Sequence, residues 1–191
     1  DATTDATVTL SDNRVAGDSL STSYTSASFA TKFAGTNKTI SVSGISVTGT
    51  DAANYTFNST VTATANITAR SLSVTATGSN KVYDGTTSAT VTLADNRLAG
   101  DSLTTSYTSA SFANKNVGTT KTVSVSAIAI SGADAGNYLA NTTATTTADI
   151  TARSLTVSAT GVNKAYDGNT SATVTLSDNR VAGDSLSTSY T

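Results

Sequence analysis

The residues best equipped for chemistry are carboxylates and carboxamides in one recurring stretch. Asp95, Asn96 and Asp101, in Asp-Asn-Arg-Leu-Ala-Gly-Asp, could supply oxygen ligands to Ca²⁺. The cluster returns as Asp12, Asn13 and Asp18 and again as Asp178, Asn179 and Asp184, while Asp134 and Asn137 form a second polar group. Calcium takes about six to eight oxygens, several of them carboxylates, and this spacing fits no EF-hand loop. Asp, Asn and Gly are equally the residues of ordinary turns, because Asp and Asn side chains bond nearby backbone and Gly accepts positive φ. Turn chemistry is therefore the reading adopted, with no metal, cofactor or catalytic residue assigned. Lys38 and Lys121 occupy equivalent places near strand starts; a Lys–Asn isopeptide bond would need them buried beside an acid, and turn-like flanks point to solvated amines instead. Asn58 and Asn141 sit in equivalent Asn-x-Thr/Ser sequons, which chance alone supplies in so Thr- and Ser-rich a chain. Thr145, Thr147 and Thr151 could face a crystalline surface, but Thr also suits any solvated strand face.

Composition narrows the chemistry further. The 191 residues include 41 Thr, 28 Ser and 29 Ala and lack Cys, His, Met, Pro, Trp, Glu and Gln altogether. Without Cys or His there is no zinc finger, no iron–sulfur cluster and no thiol- or His-based nucleophile. Nothing matches a Ser-x-x-Lys helix or an oxyanion loop, so no enzyme activity is expected. Eleven Lys and Arg stand against thirteen acids, all of them Asp, which leaves no basic stripe for nucleic acid. No apolar run approaches the ~18 residues of a membrane helix, so no membrane insertion is expected. No signal-peptide pattern opens the chain.

The elements that position these residues repeat. Ala6 to Arg14 recurs with one change as Ala89 to Arg97 and unchanged as Ala172 to Arg180, 83 residues apart each time. The same offset carries Ser23–Phe29 onto Ser106–Phe112, Asn54-Tyr55 onto Asn137-Tyr138, and Ile67–Arg70 onto Ile150–Arg153. A unit of this length suits a small domain better than a solenoid turn. The expected divisions are residues 1–70, a repeat without its first strand; 71–153, a complete repeat; and 154–191, the beginning of a third. Both ends fall inside a repeat, as in a window from a longer array.

Within the repeat the apolar residues have period 2, the strand signature. Leu72, Val74 and Ala76 alternate with Ser and Thr, as do Ala89, Val91 and Leu93. Val123 and Val125 give way to Ile128 and Ile130, a change of parity that sends the later residues to the other face; Ile40 and Val42 give way to Ile45 and Val47 in the same manner, with Gly44 at the switch. A β-bulge or a strand crossing between sheets would account for both. Asp84-Gly85, between two alternating runs, predicts a tight hairpin turn. One short helical turn is expected near Phe112–Val117.

Asp134, Asn137 and Tyr138 lie in Gly-Ala-Asp-Ala-Gly-Asn-Tyr, which is similar to the Asp-x-x-x-Tyr turn of immunoglobulin-like sandwiches; Tyr55 repeats it. There the buried Tyr returns its hydroxyl to nearby backbone as a tyrosine corner. The expected fold is all-β, with tandem immunoglobulin-like β-sandwich repeats in an elongated rod; β-grasp-like repeats are the alternative.

Lys81-Val82-Tyr83-Asp84-Gly85 and Lys164-Ala165-Tyr166-Asp167-Gly168 resemble the signature of the YDG domain. The downstream Asp-Asn-Arg, Ser-Tyr-Thr-Ser-Ala-Ser-Phe and Gly-Ala-Asp-Ala-Gly-Asn-Tyr stretches fit the same family. The resemblance covers the whole chain and is to tandem repeats of large bacterial surface proteins of the filamentous-haemagglutinin type. It implies stalk or spacer repeats of a secreted, extracellular adhesin or fibre on the bacterial cell surface, with neighbouring repeats as partners. One departure is Asp1-Ala2 in place of Asp-Gly, which predicts a turn either indifferent to positive φ or looser in that copy. A weak multivalent glycan- or fibre-binding module is the other reading. Tyr24, Tyr107 and Tyr190 are its aromatic candidates, although they share parity with Leu20, Leu103 and Leu186 and so point to a buried face. Residues 155–166 could also add as a strand to another copy, giving head-to-tail self-association.

Overall fold

The structure, a computed structural model, describes residues 2–191. It is all-β. Strands β1 (Ser21–Ser23), β2 (Ser26–Phe29), β3 (Gly35–Ser43), β4 (Ser46–Thr48) and β5 (Thr60–Ile67) come from the first repeat. β6 (Arg70–Leu72) spans the boundary, and the second supplies β7 (Val74–Gly78), β8 (Lys81–Val82), β9 (Val91–Asp95), β10 (Thr104–Ser106), β11 (Ser109–Phe112), β12 (Gly118–Ser126), β13 (Ala129–Ser131), β14 (Tyr138–Ala140) and β15 (Thr143–Thr151). The third adds β16 (Val157–Gly161) and β17 (Val174–Asp178). Among the described residues the only helical pieces are three-residue 3₁₀ turns at Ala52–Asn54 and Ala135–Asn137. The expected helical turn near Phe112–Val117 is not there; the 3₁₀ turns sit inside the Asp-x-x-x-Tyr motifs instead, where Asn54 and Asn137 N–H groups bond the Asp51 and Asp134 carbonyls.

The chain divides into two compact units that cut across the 83-residue frame. The first comprises Asp1–Ser73, Asp95–Thr104 and Ile130–Ala140, the second Val74–Ala94, Thr105–Ala129 and Asn141–Thr191.

In the first unit β2, β3 and β5 form an antiparallel sheet, with Ala27 opposite Val42 and Ile40 opposite both Phe29 and Ala63. Ala27, Ile40 and Val42 are buried, and Val8, Leu10 and Tyr24 pack on them. β1 and β4 make a separate pair, and β6 runs parallel to β14. The change of parity after Val42 therefore marks a strand leaving one sheet for another rather than a bulge. Gly44 at the switch has φ +66°, and Ala127 at the equivalent place in the second repeat has φ +52°. A genuine bulge lies elsewhere, between Gly35 and Lys38, where Asn37 has φ +50°.

In the second unit the sheet order is β11-β12-β15-β8, antiparallel except for the parallel β15–β8 pair. Alternation decides which side is core: Val123, Val125, Ala148 and Ile150 are buried, whereas Thr122, Ser124 and Thr147 face water. Each buried Val or Ile contributes roughly 1.5–3 kcal/mol. β-Branched side chains also suit the pleated surface, which lets so Thr-rich a chain form sheets at all. β7 pairs with β9, and β16 with β17. The Asp84-Gly85 turn is not a two-residue hairpin. It lies in the loop between β7 and β9, and it carries the chain from β8, at one edge of the four-stranded sheet, to Ser88, which bridges Ser111 at the other. The alternating runs that flank the turn do pair, β7 with β9; what is lost is the tightness of the turn, because the long loop that joins them also supplies β8 to the four-stranded sheet.

Candidate functional site

The Asp-Asn-Arg loop spends its polar atoms on its own surroundings. Asp95 and Arg97 form a two-pronged pair, with Nε donating to Oδ1 at 2.8 Å and Nη2 to Oδ2; the Arg97 backbone N–H also donates to Oδ1, and Nη1 donates to the Leu103 carbonyl. That guanidinium holds the Asp95 carboxyl below the usual carboxylate range. Asn96 Oδ1 accepts the Ser73 N–H at 2.8 Å, fastening the loop to the chain just after β6. Asp12–Arg14 and Asp178–Arg180 repeat the fork, and Asn179 repeats the Asn contact on the Thr156 N–H.

Asp101 closes the loop. Tyr138, buried at 7% exposure, donates its hydroxyl to Asp101 Oδ2 at 2.6 Å and accepts the Leu98 N–H at 2.9 Å. Tyr55 makes the same two contacts, to Asp18 and from Val15. The hydroxyl thus reaches a loop 37 to 40 residues upstream. That differs from a tyrosine corner, whose partner is a few residues away. Asp134 Oδ2 accepts the Ser102 N–H at 2.8 Å, and Asn137 Nδ2 leans on Asp134 Oδ1 at 3.4 Å. Burial first, and then Asp101, raises the Tyr138 pKa; the Tyr138 hydroxyl and then Lys32 lower that of Asp101. The calcium candidates Asp95, Asn96 and Asp101 therefore point to three different protein partners. Among the described residues no group of three or more His, Cys, Asp or Glu is gathered to hold a metal ion.

The Tyr-Asp-Gly turn is organised by the lysine that opens the signature, a residue to which spacing alone gives no role. Lys81 Nζ donates to Asp84 Oδ1 at 2.8 Å, to both Thr86 oxygens and to the Ser88 carbonyl, and lies 5.5 Å from the centre of the Phe112 ring. Asp84 also takes the Thr86 N–H at 2.9 Å, an Asx turn. Lys81, followed by the Thr86 donors, lowers the Asp84 pKa to about 2. Gly85 has φ +79° and Gly168 φ +75°. Ala2, at the equivalent position, has φ +61°. Ala2 thus takes the left-handed conformation without Gly, against the expectation of a position indifferent to positive φ; whether the turn is looser in that copy turns on Asp1, which lies outside the described residues. In the third repeat Lys164 holds Asp167 at 2.9 Å while Tyr166 is 98% exposed. The Tyr83 hydroxyl donates to Asp184 at 2.7 Å.

The remaining candidates stand apart from these loops. Lys38 and Lys121 donate to Thr31 and Asn114 side chains. The Asn141 carboxamide accepts the Val74 N–H at 2.7 Å and donates to the Val74 and Thr143 carbonyls, so a glycan on Nδ2 would displace one of the two donated bonds. The Asn58 carboxamide donates to the Thr60 carbonyl. Tyr24 and Tyr107 are half-buried, each accepting a backbone N–H from 16 residues upstream, whereas Tyr190 is 54% exposed. Thr145, Thr147 and Thr151 are exposed along β15. Lys81 and Lys164 share the 83-residue offset, as do Lys32 and Lys115; that recurrence was the available signal for them.

The fold and these loops define the class: an all-β protein built on a repeat, whose charged motifs bond loops and turns of the same chain. More narrowly, the chain belongs to the YDG domain family, whose model matches residues 1–64 and 68–148. No curated protein and no solved structure gives a significant match. Among the described residues no helix is long and apolar enough to cross a membrane.

Proposed function

We propose that the chain consists of structural stalk repeats of a secreted bacterial cell-surface adhesin or fibre, without enzymatic activity, that project a distal binding domain. In this reading the repeats are immunoglobulin-like sandwiches joined into a rod, and the mechanism is mechanical reach. The observation that carries it is the passage from the first repeat to the second. β5 ends at Ile67 and β6 begins at Arg70, so only Thr68 and Ala69 lie between two hydrogen-bonded strands, and β6 is at once paired to β14. A connection that short has little entropy with which to act as a flexible linker. Membership of the YDG family agrees with repeated use of the same module. The absence of Cys suits a chain exported unfolded, since no disulfide can lock it early.

The partners in this reading are neighbouring repeats, and strand addition by residues 155–166 is the route to head-to-tail association between chains. Probing the 191-residue chain on a glycan array tests the function: no binding is expected. Saturable binding to any glycan class, lost on substituting Tyr24 and Tyr107 by Ser, would replace the stalk with a multivalent binding module.

A further inference from the structure

Three of the recurring motifs and a pair of recurring lysines meet where one repeat follows another. At the boundary of the first and second repeats, inside the first compact unit, Lys32 Nζ of the first repeat lies 3.1 Å from Asp101 Oδ1 and 3.9 Å from Asp134 Oδ1 of the second. The Ala34 N–H donates to Asn137 Oδ1 at 2.9 Å. At the boundary of the second and third repeats, inside the second compact unit, Lys115 takes the place of Lys32 and Asp184 that of Asp101, again at 3.1 Å. There Tyr83 donates its hydroxyl to the same Asp184 oxygen at 2.7 Å, and the Lys115 ammonium stands 5.8 Å from the centre of the Tyr83 ring. A Cβ built on Gly85 would come within 2.7 Å of Val181 Cγ1, in the Asp-Asn-Arg-Val-Ala-Gly-Asp loop of the third repeat.

The carboxylate is shared in a consistent way. Asp101 gives Oδ2 to Tyr138 of its own repeat and Oδ1 to Lys32 of the repeat before it. Asp184 likewise gives Oδ1 to Lys115 and Tyr83 of the preceding repeat. One exposed ion pair fixes little by itself. A carboxylate that receives an ammonium and a phenol from one side, beside a glycine whose missing Cβ admits the partner loop, constrains orientation far more than a pair of charges does.

We propose that the Tyr-Asp-Gly turn together with Lys115 is a docking face whose partner is the Asp-Asn-Arg loop of the following repeat, so that Tyr83, Gly85 and Lys115 set how one repeat is oriented on the next. The signature tripeptide is then a joint. Tyr83 bonds the incoming Asp184, Gly85 makes room for Val181, and Asp84, clamped by Lys81, holds the turn in shape. This deepens the stalk reading and rests on it for the purpose of the joint, though not for its existence.

Because the chain has no Cys, Thr145→Cys and Thr175→Cys place two spin labels uniquely, one on the second repeat and one on the third, in the full 191-residue chain. The parent should give one narrow inter-label distance. Tyr83→Phe combined with Lys115→Gln should lose that narrow peak while amide-exchange protection in β12 and β15 stays at the parent level. Asp184→Asn, made on the other side of the joint, should do the same. A peak that stays narrow in both variants overturns the joint. So does a peak lost only together with protection in β12 and β15, since Tyr83 would then be an anchor of its own repeat. Glycan binding by the chain would overturn the stalk reading and leave this result standing.

Discussion

Asp101 shows how an acidic loop of this chain is tied to its surroundings: each of its carboxylate oxygens receives a cationic or hydroxyl donor. Tyr138→Phe removes the donor to Oδ2 and the acceptor of the Leu98 N–H together. In a buried setting that should cost about 1–2 kcal/mol. Tyr55 makes the same contacts but is less buried, so water can take over and Tyr55→Phe should cost less. Urea denaturation of the two variants checks both the size and the order; equal midpoints for Tyr138→Phe and the parent would refute the first. The Asp84 carboxyl supplies a pH dependence. Its pKa is lowered from 3.8 to about 2 by Lys81 and Thr86. A depressed carboxylate contributes stability that is fully present above its unfolded value and lost as pH falls through its folded one. The stability difference between the parent and Asp84→Asn should therefore be constant from neutral pH to about 4 and close as pH approaches about 2. A gap that widened on acidification would reverse the sign and the assignment.

At the scale of strands, the two parity switches were legible and their resolution was not. Alternation shows that Ile45 and Val47 face opposite to Ile40 and Val42, but both a bulge and a change of sheet produce that pattern. The deciding quantity is a backbone angle. Gly44 at φ +66° adopts the left-handed conformation without penalty, while Ala127 at φ +52° carries a Cβ in a region that costs an L-residue roughly 1–2 kcal/mol. Ala127→Gly should consequently raise stability, by about 0.5–1 kcal/mol after the extra entropy of Gly in the unfolded chain. A lower melting temperature in calorimetry would show that the switch is not made there. The Asp84-Gly85 turn joins two runs that do pair, β7 and β9, yet it is not tight, for a related reason. Local pattern names the turn residue, yet β8 found its partner in β15, some 70 residues away in sequence. The candidate site was legible in part for the same cause. Recurrence singled out Asp101, Tyr138 and Tyr83 as positions, but nothing in their spacing says that Tyr83 meets Asp184, 101 residues on. The lysines that complete these contacts were hidden because a single Lys in a polar loop looks like solubility.

At the scale of the whole chain, the repeat itself provides a controlled comparison. Arg70 and Arg153 are the same position one repeat apart, each followed by Ser-Leu. Arg70 begins β6 and is matched with Tyr138 of β14, whereas Arg153 lies outside any strand, two residues past the end of β15. Both side chains are exposed, so access to the side chain does not separate them. Proteolysis requires the backbone around the bond to leave its hydrogen bonds and enter the enzyme extended, so the local opening free energy sets the rate when reclosing is fast. Trypsin should therefore cut the native chain after Arg153 well before it cuts after Arg70, giving first a fragment of residues 1–153 that persists. Mass spectrometry of a time course reads the order directly. Leu139→Pro should narrow the difference: Leu139 lies opposite Ser71 in the β6–β14 pair, where its side chain is 72% exposed and contributes little packing, while proline removes a backbone donor from the strand. Cleavage after Arg70 that is as fast as after Arg153 in the parent would mean that the short connection between repeats opens as freely as a loop, and stiffness could not then be the property these repeats were built to supply.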